Sequence, residues 1–173
     1  EPGYLSRWHS HMHDGVFINL AASQTSAQDY GAEAVSRPPR AVGETYFINY
    51  TRKPKAHRVS NTGSTPYRVV DTEIVRGCGG YVPVAGSDAE VLVDNDRVRV
   101  TRLLLAPGQS AILHPPCGML VAVNEGQVRW RTAGGDALLD LKPANFHWRQ
   151  SAGQIEITNL GRAAVHAVDV LVK

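Results

Sequence analysis

Pro2-Gly3-Tyr4-Leu5-Ser6-Arg7-Trp8-His9-Ser10-His11 returns later in the chain as Pro107-Gly108-Gln109-Ser110-Ala111-Ile112-Leu113-His114-Pro115-Pro116. Each stretch opens on a Pro-Gly turn and reaches a histidine five residues later, at an offset of 105. A second landmark, Asn61-Thr62-Gly63, returns as Asn159-Leu160-Gly161, each Asn followed ten residues on by an aspartate (Asp71, Asp169), at an offset of 98. Self-similarity of this kind is read before any other feature, because it sets the architecture. Two copies of one unit follow, the first with seven extra residues between its landmarks. Those extras are expected in Ser23 to Val42, a polar stretch containing Arg37-Pro38-Pro39-Arg40 that reads as a surface loop with one short helical turn. The expected division is a first unit over 1–76, a glycine-rich linker over 77–90 (Gly77-Cys78-Gly79-Gly80 through Gly86), and a second unit over 91–173.

Within the units the period is that of strands. Val91-Leu92-Val93-Asp94-Asn95-Asp96-Arg97-Val98-Arg99-Val100-Thr101 alternates around a turn, and Val16-Phe17-Ile18, Thr45 to Ile48, Tyr67 to Val70, Met119 to Val123, Gln127 to Trp130, Ile155 to Ile157 and Ala164 to Val168 read as short strands. No segment keeps a helical period for three turns, so the fold class is all-β, sandwich or barrel. About sixteen residues of strand, Val91 to Ala106, precede the second Pro-Gly turn, whereas only Glu1 precedes the first. The first unit is therefore expected without its opening strands, through truncation or with a partner chain covering the gap.

Composition removes several classes. The chain has 173 residues, 43% hydrophobic and 20% charged, which is neither a disordered tail nor a membrane protein, and no apolar run is long enough to span a bilayer as a helix. Eighteen Lys+Arg against sixteen Asp+Glu leave +2, with the basic residues scattered rather than gathered into a nucleic-acid stripe. Cys78 and Cys117 are too few for a disulfide scaffold and lack zinc-knuckle spacing; two small free side chains or a single bridge both fit. The chain opens on Glu1 without a signal-peptide pattern, so a soluble protein is expected, its compartment (cytoplasmic, or exported after processing) left open.

The chemistry sits on histidines. His9 and His11, two apart on a strand, aim their imidazoles at one face, and His57 comes from a later strand four residues before Asn61. Three neutral imidazoles from two strands suit a divalent metal, with coordination positions left for water or substrate. His13, and Asp14 if the strand bulges, are further candidates for the metal or its outer partners. Fe, Zn, Ni, Mn and Cu all suit imidazole donors. Asn61 reads as a turn residue serving the backbone. Arg52 and Arg58, which flank His57, are candidate carboxylate anchors besides their plainer role as solvated edge charges, and Phe17 and Tyr46 are candidate substrate contacts besides core or rim packing.

These landmarks resemble the cupin superfamily. Its first motif, Gly, five residues, His-x-His, three or four residues, Glu, is matched by Gly3, His9 and His11; its second, His, three residues, Asn, by His57 and Asn61. The resemblance covers nearly the whole chain and implies a bicupin: two double-stranded β-helix barrels, jelly-roll-like. The family's Glu would fall at Gly15 or Val16, so the implied site has three histidines, a pattern that some dioxygenases of the superfamily use. In the second unit His114 is matched, but Pro116 and Ile155 stand for the other ligands, which makes it a degenerate copy. The implied function is a metal-binding bicupin, a dioxygenase or other metal-dependent enzyme acting on a small organic acid or sugar-like compound. The alternative is a non-catalytic module that binds or senses a small ligand. Because barrels of this superfamily commonly pair, a homodimer is also expected.

Overall fold

Side chains that alternate between a buried and a solvated face build strands, and every regular element formed here is one. The computed structural model describes residues 1–82, 89–150 and 153–173, and among these there are sixteen strands and no helix. Residues 83–88, part of the expected linker, lie outside the described residues. The chain divides into two compact units, Glu1–Val75 and Arg76–Lys173.

The first unit contains β1 (His9–His11), β2 (Asp14–Ala21), β3 (Thr25–Asp29), β4 (Ala34–Arg37), β5 (Thr45–Ile48), β6 (Lys55–Asn61) and β7 (Arg68–Ile74). They form two antiparallel sheets, in the orders β1-β6-β3-β4 and β5-β2-β7. The second unit contains β8 (Glu90–Asp94), β9 (Val98–Leu105), β10 (Ser110–Leu113), β11 (Cys117–Ala122), β12 (Gly126–Thr132), β13 (Gly135–Leu141), β14 (Phe146–Gln150), β15 (Ile155–Asn159) and β16 (Val165–Val172). Its sheets run β10-β15-β12-β13 and β14-β11-β16-β9-β8. Strands β10 to β16 thus repeat β1 to β7 in order and in partner, while β8 and β9 have no counterpart among the described residues of the first unit.

The repeat extends to single hydrogen bonds. Gly3 N–H donates to the Asn61 carbonyl and Gly108 N–H to that of Asn159, each at 2.9 Å. Both asparagines close the same turn: Nδ2 donates to Thr65 O or Ala163 O at 2.8 Å, and Oδ1 accepts from the amide of Gly63 at 3.2 Å or Gly161 at 2.8 Å. A side chain that satisfies a buried turn in this way keeps both backbone polar groups paired where water is excluded.

Two expectations are corrected. Ser23 to Val42 is not a loop with a helical turn, since it carries β3 and β4. Thr25-Ser26-Ala27-Gln28 alternates buried and half-buried, a strand pattern written in small and polar residues because the face it covers is polar. The seven extra residues are also not gathered there. Matching residues by register (Gly15 and Ile48 against Gly118 and Arg149, Asn61 against Asn159), three of them fall between β5 and β6 and the others singly along the unit. Cys78 and Cys117, left open on sequence, are joined as a disulfide with Cα atoms 6.1 Å apart, tying residue 78 to the start of β11 within the second unit.

The interiors differ. The second unit buries Leu103, Leu105, Leu113, Leu120, Val128, Leu141, Ile155, Ile157 and Val165 in one aliphatic cluster. At the first unit's matching positions stand His57 for Ile155 and Thr25 for Val128, and it also buries His11 and Asn19, whereas buried Asn61 has its counterpart in buried Asn159. Burying an imidazole such as His57, whose Nδ1 has no hydrogen-bond partner among the described residues, costs stability unless something satisfies it.

Candidate metal centre

A β-bulge places the first two histidines. Leu5 stands opposite Ser60, and His9 stands opposite His57, so four steps along one strand face three along the other. The extra residue changes which face later side chains occupy. Leu5 points outward, 47% exposed, and strict alternation would send His9 and His11 the same way. After the bulge they share the inner face with His57 and Asn61. The Ser6 hydroxyl fills the gap in the ladder, accepting from Val59 N–H at 2.9 Å and donating to Arg7 O at 3.1 Å.

The three imidazoles converge, with one ring nitrogen from each lying within 4.8 Å of the others. His11 Nε2 and His57 Nε2 are 3.2 Å apart. For metal–nitrogen bonds of about 2.0–2.1 Å, donors at a right angle lie about 2.9 Å apart and at the tetrahedral angle about 3.4 Å apart, so this pair already has the separation of two ligands on one ion. Of the remaining nitrogens only that of His9 has a hydrogen-bond partner among the described residues. His9 Nδ1 lies 3.0 Å from Arg7 O, the carbonyl beside the bulge. His11 Nδ1 faces two carboxylates of β7, Asp71 at 3.5 Å and Glu73 at 3.6 Å. His57 Nδ1 is buried with no hydrogen-bond partner among the described residues.

Electrostatics favour the neutral donor form. Burial, and then the charges of His9 and His11, push the His57 imidazole down to about 4, so it is unprotonated at neutral pH. Asp71 is pushed up by burial, with His11 pulling the other way. Tyr50 stacks on His11 at 4.7 Å, 4% exposed, and burial pushes its phenol up to about 12, which keeps it protonated.

Other sequence candidates are scattered. His13 is exposed between β1 and β2, outside the cluster. Asp14 is buried, and its Oδ1 accepts from Thr51 N–H at 2.9 Å. Phe17 lies 5.9 Å from His11 and stacks on Tyr46 at 5.1 Å, so both candidate aromatics line the cluster's surroundings. Arg58, next to inward-facing His57, takes the opposite face, donating to Gln28 at 2.7 Å and covering Trp8. Arg52 is exposed in the loop after β5. Asp71, on sequence only a landmark of the repeat, and Glu73 were not read as site residues; the pairing of β2 with β7, Phe17 to Asp71 and Gly15 to Glu73, brings them in. Gly15 also explains the absent family Glu: a Cβ there would meet the Phe17 ring at 2.9 Å.

The second unit fills the same places differently. Without the bulge, Leu113 rather than His114 stands opposite Ile155, so Leu113 and Ile155 occupy the His9 and His57 positions. Asp169, the counterpart of Asp71, is ion-paired with buried Arg149 at 2.7 Å and accepts one hydrogen bond from its Nη2 at 2.9 Å.

No protein-family model matches the chain, and no curated protein does. Among solved structures it is similar to AerE from Microcystis aeruginosa, with TM-score 0.70 and 12% identity over 99% of this chain and 83% of that one. It is also similar to an oxalate decarboxylase from Lactobacillus farciminis solved as a formate complex (TM-score 0.59, 10% identity, 98% of this chain and 73% of that one). The chain has the cupin fold. A third relative in fold, the bacterial pirin YhhW from Escherichia coli in complex with nickel(II), has TM-score 0.57 and 14% identity over 99% of this chain and 78% of that one.

Proposed function

We propose that this cupin binds one divalent metal in its first unit through His9, His11 and His57, and that it acts as a metal-dependent enzyme on a small organic acid. The observation that carries this reading is the convergence of three inward imidazoles, two of them already 3.2 Å apart. The donor set fits: His57 is an unprotonated donor, its Nε2 lies 3.2 Å from that of His11, and His9 Nδ1 lies against Arg7 O. Bound there, a divalent ion supplies Lewis-acid polarisation of substrate oxygens and, where redox-active, activation of dioxygen. With three protein ligands and no inner carboxylate, the ion's charge is left for an anionic substrate to neutralise. Tyr50 and Phe17 hold the rings and exclude water from one side of the cluster. The second unit, with Leu113, Ile155 and the Arg149–Asp169 pair in the matching places, is read as a packed copy without a site of its own.

The test is metal titration of the purified protein. One equivalent of Co(II) or Ni(II) per chain, with the d–d spectrum of nitrogen coordination, is the expected result; no saturable binding overturns the reading. Oxygen uptake by the Fe(II)-loaded protein with a panel of hydroxy acids then separates an enzyme from a binding module.

The carboxylates behind His11 support a second expectation. Asp71→Asn combined with Glu73→Gln removes the two carboxylate charges that lie 3.5 and 3.6 Å from His11 Nδ1, and should weaken metal binding by roughly 10–100-fold while keeping one ion per chain. An unchanged dissociation constant in a competition titration would count against that role.

A further inference from the structure

Arg37, at the end of β4, is the one charged group on the inner face of the β1-β6-β3-β4 sheet for which the imidazole cluster gives a use. Directly opposed residues on antiparallel strands share a face. Arg37 stands opposite Thr25, and Thr25 opposite Asn61, making a row of three across β4, β3 and β6. Thr25 is 6% and Asn61 5% exposed, so the row faces the interior, on the same side as His57. Four residues along β3, Asp29 stands opposite His57. From Thr25 to Asp29 is four residues, about 13 Å along the strand, a span that an arginine side chain and a small planar molecule cover together.

The guanidinium is not engaged. Among the described residues Arg37 makes no ion pair and no side-chain hydrogen bond, whereas nearby Arg40 is paired with Glu44 and covers the Tyr46 ring. The charge of Arg37 nevertheless acts on Asp29, Tyr46, Tyr50, His57 and Tyr67, which lie on separate segments of the first unit. Arg37 itself is exposed, at the end of the edge strand β4 beside that inner face. Aromatic rings run along the same space from the cluster outward: His11 against Tyr50 at 4.7 Å, Tyr50 against Phe17 at 6.1 Å, and Phe17 against Tyr46 at 5.1 Å.

We infer that Arg37 is the carboxylate anchor of the site, and that its ligand is a planar acid with oxygen donors at one end for the metal and a carboxylate at the other for the guanidinium. The aromatic rings suit a flat, conjugated body, and the free fork of Arg37 suits bidentate pairing with a carboxylate. A sugar-like compound, polar on all sides and uncharged, uses neither feature. This inference rests on the three-histidine metal reading and specifies its substrate class.

The experiment compares 3,4-dihydroxybenzoate with catechol, which has the same chelating oxygens but no carboxylate, as ligands of the Co(II)-loaded protein, followed by the change in the visible band. In the parent protein the acid should bind at least tenfold more tightly than catechol. Arg37→Gln should remove that preference, leaving catechol affinity and metal stoichiometry unchanged, and Arg37→Lys should keep part of it. Equal affinities in the parent, a preference that survives Arg37→Gln, or binding of neither probe to the metal-loaded protein would each overturn the inference. Absence of stoichiometric Co(II) is a different result, because it removes the metal reading itself.

Discussion

Replacing His57 with alanine is expected to abolish stoichiometric metal binding, while His114→Ala and His13→Ala leave it intact. His57 supplies the nitrogen 3.2 Å from that of His11, from the opposing strand, so without it two donors of a single strand remain. Loss of an outer partner of a ligand costs roughly 10–100-fold in affinity, and loss of the ligand itself should exceed that. The variant should still fold. The buried Nδ1 of His57 has no hydrogen-bond partner among the described residues, so the substitution removes a desolvated polar group as well as packing. Thermal unfolding makes the distinction sharp, because a ligand that binds only the native state raises Tm. Metal should raise the Tm of the parent, His114→Ala and His13→Ala proteins and not that of His57→Ala. A His57→Ala protein that keeps one ion per chain would rule out the three-histidine site.

How much of this was legible beforehand follows from which facts are local. The Pro-Gly turns, the Asn-x-Gly turns and the apolar alternation are local, and they yielded the repeat, the all-β class and the three histidines. Register is not local. Whether His9 faces inward depends on a bulge that appears only when Leu5 and His9 are set against Ser60 and His57. The same ignorance of register aligned His114 with His9, although the sheet puts Leu113 there. β3 was hidden for a related reason: its buried residues are Thr25 and Ala27, which carry little apolar signal because they cover a polar interior. Arg37 lay inside that misread stretch. Asp71 and Glu73 come from a strand whose partner, β2, lies more than fifty residues earlier, so their place beside His11 follows only from the sheet pairing, although the repeat already marked Asp71.

The second large effect belongs to the second unit. Arg149→Met should destabilise it by about 3–5 kcal/mol at pH 7.5, because it strands a buried carboxylate without its partner. Asp169 is 5% exposed and Arg149 4%, and the guanidinium lies against Gly118, where any Cβ would collide with it. Burial pushes the Asp169 carboxyl up to about 6, with Arg149 pulling it down. A folded-state value above the unfolded one, about 3.9, means that this group's contribution to stability is complete below that unfolded value and is lost as pH rises through 6. Without Arg149 the carboxyl rises further, so the variant suffers most where the parent still ionises Asp169 against its partner. The deficit should therefore be largest at pH 7.5 and shrink by pH 5, as urea titrations followed by the fluorescence of Trp130 and Trp148 would measure. A deficit below about 1 kcal/mol, or one equal at both pH values, would show that the pair is not what satisfies this interior. Arg149→Met with Asp169→Leu should recover most of the loss, since apolar residues of similar volume often replace a buried ion pair at little cost. The aliphatic cluster of the second unit, against the buried imidazoles of the first, is the physical difference between the two copies of the repeat.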